Sequence, residues 1–260
     1  MASSVQYKAG GARPDVTVTN GAVTLVAGRD YTLKYSNNKA VNGKKSPSVK
    51  VSFKGGYKGT AAVTKDFAIT ACDISTCMPK IYGDDKAYTK SGKYLKAPYV
   101  EVNGTLLTAK DMDVTYKIDG KDVNAKDKIT DDMMAAGKVT VEVTVTGKGN
   151  YTGTVTGSYV ISKAEKNQDI SKAGVKLDKK SYAFTGENLR PAVTVQTGKG
   201  ANAVTLKEGV DYKVEYFANI NKGKATIVIT GLGDNGTGTT KYYGSKKISF
   251  KIGKGVLNWL

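Results

Sequence analysis

The sequence predicts an all-β fold: three tandem β-sandwich domains in an elongated array. Val, Thr, Tyr and Ile crowd a chain of 260 residues with 30 Gly and only 5 Pro, a balance that favours strands and turns. One series of strand-like segments recurs three times along it. Within those segments apolar and polar residues alternate, most clearly at Val139, Val141, Val143 and Val145 against Thr140, Glu142 and Thr144.

Each repeat contains a Pro-bearing strand: Arg13-Pro14-Asp15-Val16-Thr17-Val18, Ala97-Pro98-Tyr99-Val100-Glu101-Val102 and Arg190-Pro191-Ala192-Val193-Thr194-Val195. Proline fits there at a strand start or edge, where no ladder hydrogen bond is lost. A second strand follows, as Gly28-Arg29-Asp30-Tyr31-Thr32-Leu33-Lys34-Tyr35, Asp113-Val114-Thr115-Tyr116 and Gly209-Val210-Asp211-Tyr212-Lys213-Val214-Glu215-Tyr216. The next strand alternates, at 49–53, 139–145 and 225–230. It leads to a Gly-rich turn, Gly55-Gly56-Tyr57-Lys58-Gly59 and Gly149-Asn150-Tyr151-Thr152-Gly153, altered in the third copy to Gly231-Leu232-Gly233-Asp234-Asn235-Gly236. Gly and Asn supply the positive φ angles that such turns need. A closing strand runs through Phe67-Ala68-Ile69, Tyr159-Val160-Ile161 and Phe250-Lys251-Ile252. One helical turn is expected, with Thr130 capping Asp131 to Ala136 and Gly137 ending it.

The repeats divide the chain at 1–70, 71–163 and 164–254, with an apolar tail at 255–260 that holds the only Trp, Trp259. Each third is large enough to bury a core of its own. Repeats two and three open with Asp73-Ile74-Ser75 and Asp169-Ile170-Ser171, and repeat one has no such segment. Either the sequence starts inside a longer array, or the first sheet lacks its opening strand and has an edge able to accept one. The linker at Thr70-Ala71 is short, and the more polar one from Ser162 to Gln168 is expected to bend more easily. The tail covers a core edge, leads into a further domain, or donates a strand to another chain.

The order P-x-V-x-V, G-x-D-Y-x-V-x-Y, G-x-G-N-Y-x-G and F-x-I resembles the tandem bacterial immunoglobulin-like repeats of Gram-positive cell-surface proteins. The resemblance spans nearly the whole chain. It implies Ig-like sandwiches displayed outside the cell, in stalks, adhesins or accessory regions of larger proteins, and it specifies no ligand. The second copy departs from it around Asp113, where Gly and Tyr are missing.

A formal charge of +17 raises the question of nucleic acid. Only Arg13, Arg29 and Arg190 are Arg among 40 basic residues, so the guanidinium forks that read phosphates and bases are scarce. The lysines are scattered, as they are when they guard sheet edges and keep a surface soluble. Nucleic acid is therefore not the expected partner, although a wall polymer or acidic glycan would feel the field. No run of about 18 apolar residues is present to span a membrane. The first residues lack the apolar stretch of a secretory signal.

Without His, no Ser-His-Asp or Cys-His arrangement and no HExxH site exists. Gly147-Lys148-Gly149 and Gly231-Leu232-Gly233 read as hairpin turns, since no helix follows to hold a phosphate. Asp84-Asp85 and Asp131-Asp132 lack the ligand ladder of a calcium loop and read as solvated acidic turns. No metal and no cofactor is expected. No buried Lys–Asn pair beside an acid is identifiable, so no isopeptide bond is expected either. Cys72 and Cys77 are either a small-loop disulfide, which would imply an oxidising exterior, or two unpaired thiols near a domain junction.

Tyrosine, at 16 copies, carries the binding question. Tyr31, Tyr35, Tyr212 and Tyr216 fall at equivalent places in the repeats, which points to packing with satisfied hydroxyls. Tyr82, Tyr88, Tyr94 and Tyr99 cluster in repeat two, and they form either ordinary sheet packing or a sugar-stacking or protein-binding face. Tyr242 and Tyr243 make a weaker second cluster. These features predict a non-catalytic, extracellular segment acting as stalk, spacer or adhesin scaffold, monomeric alone and part of a longer chain. The alternatives are a module that binds a glycan or host surface protein through the repeat-two tyrosines, and a strand-exchanging assembly or virion component.

Overall fold

A computed structural model describes residues 1–77, 79–88 and 92–253, so the tail at 255–260 lies outside the described residues. The fold is all-β, with only short 3₁₀ turns between strands. The chain forms two compact units: Met1–Cys77 with Thr108–Asp113 and Thr146–Thr154, and a second made of Met78–Leu107, Val114–Val145 and Val155–Leu260.

In the first unit, strands Tyr31–Ser36, Ser48–Phe53 and Val63–Asp66 form an antiparallel sheet with Tyr31 opposite Phe53 and Val51 opposite Val63. Ser4–Gln6 pairs parallel with Ala68–Thr70, and Thr19–Asn20 and Val23–Thr24 form a hairpin of two-residue strands. Two small cores result, one around Leu25, Tyr31 and Val51 and the other around Ala12, Phe67 and Ile69. Residues 13–18, predicted as a strand, pair with no strand among the described residues. They are held by one backbone bond, Leu25 N to Val18 O at 2.9 Å, and by side chains: Tyr31 Oη donates to Val16 O at 3.3 Å, and Tyr35 Oη to Pro14 O at 2.8 Å.

The second unit carries larger sheets. Lys86–Tyr88, Thr154–Lys163, Lys138–Gly147, Met112–Ile118 and Lys121–Val123 form one sheet in that spatial order. Val139, Val141, Val143 and Val145 are buried and their neighbours Thr140 and Glu142 exposed, as period-two alternation requires. A second sheet joins Thr105–Leu106, Tyr99–Val102 and Lys80–Tyr82. In repeat three, the four-stranded sheet Ser181–Ala183, Ser245–Gly253, Gly223–Gly231 and Tyr212–Phe217 shares one core with the three-stranded sheet Gly174–Leu177, Val193–Thr197 and Val204–Thr205. Two sheets closing on one apolar core make a sandwich. The turn after Thr130 forms: Thr130 Oγ1 accepts from Met133 N at 3.3 Å, Gly137 takes φ +84°, and Met134 is fully buried above the sheet.

The repeats superimpose in chemistry, with one correction. The aspartate that braces the second strand accepts a backbone N–H: Asp30 from Val26 at 2.8 Å, Asp211 from Lys207 at 2.8 Å and Asp111 from Thr108 at 3.0 Å. The repeat-two equivalent is thus Asp111 and not Asp113, and buried Met112 stands where the others place Tyr31 and Tyr212. Asp113 is exposed and pairs with Lys148 at 2.5 Å.

Gly59 and Gly153 end their Gly-rich turns at φ +98° and +79°, and in repeat three Gly244, at φ +77°, takes the place of Gly153 beyond the turn, accepting from Gly231 N as Gly153 accepts from Gly147 N. What stands against each differs. A Cβ on Gly153 would overlap the Asp73 carboxylate, and one on Gly244 would lie 2.8 Å from Ala87 N and 3.4 Å from Asp169 Oδ1. At Gly59 nothing lies within 4 Å. Gly59→Ala should therefore cost about 1–2 kcal/mol, the penalty of left-handed backbone alone. Gly153→Ala should cost about 1 kcal/mol more, because Asp73 must also move. Denaturant unfolding of the two variants measures this, and equal losses would contradict the close approach at Gly153.

Candidate functional site

The four tyrosines singled out in repeat two do not form one exposed face. Tyr88 and Tyr94 are buried in the core of the second unit, their ring centroids 5.4 Å apart. Tyr88 Oη is 3.1 Å from Asp131 Oδ1 and 3.3 Å from Ile129 O, and the Tyr94 carbonyl accepts from Tyr159 Oη at 2.9 Å. A sugar cannot stack on rings already enclosed by protein, so the expectation of a ligand face is corrected at these two positions. Tyr82 and Tyr99 are half-buried for a different reason: both lie against Phe217 of repeat three.

Phe217 is the centre of a seam between repeats two and three within the second unit. It has no solvent exposure, with the Tyr99 ring 5.5 Å away and the Tyr82 ring 6.0 Å away edge-on. Lys80 Nζ lies 4.5 Å from the Phe217 centroid, donates to Tyr216 O at 3.0 Å and pairs with Glu215 at 2.7 Å. Lys213 and Lys247 answer from repeat three, 5.2 Å over Tyr82 and 5.4 Å over Tyr99. Ammonium groups at these distances are drawn to the negative ring faces. Tyr82 Oη bonds Thr230 Oγ1 at 2.9 Å, and Glu101 accepts from Ala218 N. Ala218 itself sits at φ +51°, a conformation costing about 1–2 kcal/mol for a residue with a Cβ.

Polar groups close one end of the seam. Ser245 Oγ reaches the Asp84 carboxylate and lies 2.8 Å from Asp85 O, while Asp85 Oδ1 accepts from Val160 N at 2.8 Å. Asp84 also pairs with Lys86 and is buried. The reading of Asp84-Asp85 as a solvated turn is therefore wrong: the Asp84 carboxylate accepts across the seam from Ser245, and Asp85, whose pKa desolvation raises, accepts on its side chain from Val160 within repeat two. Asp131 and Asp132, by contrast, are exposed in a turn as read, with Asp131 Oδ1 also accepting from Tyr88 Oη. The linker at 162–168 was expected to bend. It is tied by a 3₁₀ turn at Lys166–Gln168 with a reciprocal Glu165–Gln168 cap, and it lies inside one compact unit.

The strand at 225–230 was read as alternating, yet Ala225, Thr226, Ile227, Val228, Ile229 and Thr230 are all buried. Its inner residues Ala225, Ile227 and Ile229 pack in the repeat-three core, and on the outer face Thr230 meets Tyr82 of repeat two. A signal was present: Ala-Thr-Ile-Val-Ile-Thr has no charged residue, whereas the register-equivalent strand of repeat one carries Lys50 and Ser52. Phe217 stands where repeat one has Ser36. Other predicted residues fall into place as packing: Arg13 lies 5.8 Å over Tyr35 and Arg190 5.9 Å over Tyr216, equivalent contacts in two repeats. Tyr242 is buried, and Tyr243 bonds Asp234 at 2.9 Å. Cys72 and Cys77 are joined as a disulfide with Cα atoms 6.8 Å apart, bracketing the Asp73-Ile74-Ser75 turn. Among the described residues no helix is long and apolar enough to cross a membrane.

Burial pushes the Tyr82 hydroxyl up to about 12, against the opposing pull of its bond to Thr230. The fold favours the neutral phenol, whereas the unfolded chain ionises near 10. Stability from this group is complete below about pH 10 and is lost as pH rises towards 12. Between pH 9 and 11.5 the loss at Tyr82 should be on the order of 1–2 kcal/mol, reduced by the ring's residual solvent contact. Denaturant midpoints of the parent and Tyr82→Phe across that range check it, and an unchanged slope in the variant would remove Tyr82 as the source.

No family model matches the sequence, and no curated protein matches it. Among solved structures, Drosophila N-cadherin EC1-4 is similar at 11% identity and a TM-score of 0.25, covering 96% of this chain and 72% of that one. Mouse cadherin-23 EC22-24 is similar at 11% identity and a TM-score of 0.24, covering 96% and 94%. Protocadherin gamma B2 domains 3-6 reach 8% identity and a TM-score of 0.26, covering 88% and 68%. Scores this low transfer neither fold nor function from those proteins.

Proposed function

We propose that this chain is a non-catalytic segment of a cell-surface protein, built of three Ig-like repeats, that acts as a stalk, spacer or adhesin scaffold. The observation that carries the reading is the Phe217 seam: the aromatic rings best suited to hold a ligand are used to join repeat two to repeat three. A junction filled with rings and lysines resists bending, which is what a segment that positions other domains requires. The Cys72–Cys77 disulfide supports an oxidising, extracellular setting. Display on a Gram-positive bacterium rests on the sequence resemblance alone.

A binding module remains the second reading, with a glycan, wall polymer or host surface protein as ligand. It would require Tyr82 and Tyr99 to leave Phe217. Binding of the purified chain to a panel of polysaccharides, wall polymers and host glycoproteins decides between the two. Any signal should vanish between low and physiological salt, because a +17 surface attracts polyanions without specificity. A saturable, salt-resistant hit that falls with Tyr99→Ala would overturn the scaffold reading.

The seam itself has a mechanical consequence. Phe217→Ala should cost about 3–5 kcal/mol, the range for emptying a buried aromatic site. Differential scanning calorimetry should show repeat three separating as an independent transition. A uniform shift of one unsplit transition would mean that the seam does not couple the two repeats.

A further inference from the structure

Asn-Gly pairs occur at Asn20-Gly21, Asn42-Gly43, Asn103-Gly104 and Asn235-Gly236. Such a pair can rearrange without an enzyme, because glycine has no Cβ to shield its backbone nitrogen from the preceding side chain. Ring closure requires the Asn backbone and χ1 to rotate until Cγ lies over that nitrogen. The pairs share one local chemistry, so the fold decides which of them has the freedom to react.

The pairs at 20, 103 and 235 are held. Asn20 lies in a hairpin strand opposite Val23. Asn103 and Gly104 form the left-handed pair of a tight turn, at φ +50° and +72°, between the paired Val102 and Thr105. A Cβ on Gly104 would lie 3.2 Å from Asn221 Nδ2 of repeat three. Gly236 N donates to Gly233 O at 3.0 Å, and a Cβ on Gly236 would lie 2.7 Å from Val210 O.

Asn42-Gly43 differs on each count. Both residues are exposed and belong to no strand, and among the described residues no hydrogen bond engages Gly43 N. Gly43 is outside the left-handed region, and the nearest atoms to a Cβ there are Lys45 O at 3.5 Å and Ala40 O at 4.0 Å, ordinary contact distances. Open clefts undercut the loop on both sides, one against residues 66–69 and the other against Tyr35, Asn37 and Asn38. Lys39, Lys44 and Lys45 flank it, all exposed, and their positive field favours the anionic nitrogen that attacks. Immediately before the pair, Val41 N donates to Asn150 Oδ1 at 2.8 Å, and the Val41 side chain packs against the core of Ala12, Phe67 and Ile69.

We propose that Asn42-Gly43 is a site of self-modification, where the chain converts its own amide into an aspartyl or isoaspartyl linkage and thereby loosens the anchor at Val41. Gly43 N bonds to Asn42 Cγ, the Cγ–Nδ2 bond breaks, and ammonia leaves with the proton from Gly43 N. Water then opens the succinimide ring. Opening at Cγ leaves an ordinary aspartyl residue. Opening at the main-chain carbonyl leaves Gly43 joined through Cγ, which lengthens the backbone by one carbon beside Val41 and puts a carboxylate where a neutral amide stood. This inference does not depend on the scaffold role proposed above.

The test ages the full chain in neutral buffer and follows each Asn-Gly peptide by mass spectrometry, with isoaspartyl methyltransferase labelling to mark the rearranged linkage. Asn42 should convert at least about tenfold faster than Asn20, Asn103 and Asn235, whose reaction must wait for local opening. In denaturant the rates should converge, because only the fold separates them. Gly43→Ala, which the backbone accepts, should slow conversion at Asn42 and leave melting unchanged. Hydrogen exchange at the Val41 amide should quicken in the isoaspartyl chain and not in the Asn42→Asp variant, which gains the charge without the longer backbone. Conversion at Asn42 no faster than at the other pairs, a rate order that persists in denaturant, or unchanged exchange at Val41 in the isoaspartyl chain would overturn the proposal.

Discussion

Phe217 is enclosed on one side by its own strand and on the other by Tyr82 and Tyr99, and much of the second unit follows from that enclosure. A phenyl ring on the outer face of a half-solvated sheet would be a liability; covered by two tyrosines and a lysine stem it becomes a second core. Once that face is dry, Thr226, Val228 and Thr230 must be small, β-branched and uncharged. The polar atoms drawn in with them need partners, and Thr230, Glu101, Ser245 and Asp84 find them across the seam. Lys80, Lys213 and Lys247 rim it, with ring faces on one side and water on the other.

Within each repeat a different constraint operates. The strand after each Pro has to be held although proline donates no hydrogen bond. Tyrosine hydroxyls supply the missing fastening from below, Tyr35 to Pro14 O and Tyr216 to Pro191 O at 2.8 and 2.6 Å. An asparagine secures the approach, Asn38 to Ala12 O at 2.8 Å and Asn219 to Leu189 O at 2.9 Å. These contacts use the same atoms in repeats one and three, so the motif residues are explained by local fastening and not by ligand contact. Repeats one and three then diverge in what covers their outer surfaces: Ser36 and Lys50 keep solvent contact, while Phe217 packs on another repeat and Val228 is buried.

Strands whose alternation is strict, such as 139–145, are legible in the residues alone, because a two-residue period admits only one buried face. The glycine ends of the turns are legible in the same way, because φ near +80° excludes most other residues. The equivalence of Tyr31 with Tyr212 and of Asp73 with Asp169 was also readable, since each serves a contact within its own repeat. Long-range packing set the fate of the repeat-two tyrosines, the burial of both faces at 225–230, the shift from Asp113 to Asp111, and, among the described residues, the lack of a paired strand at 13–18. Those depend on surfaces distant in the chain. A tyrosine reads the same in sequence whether its ring faces a core, a neighbouring repeat or water, and its place is set by which other sheet arrives to cover it.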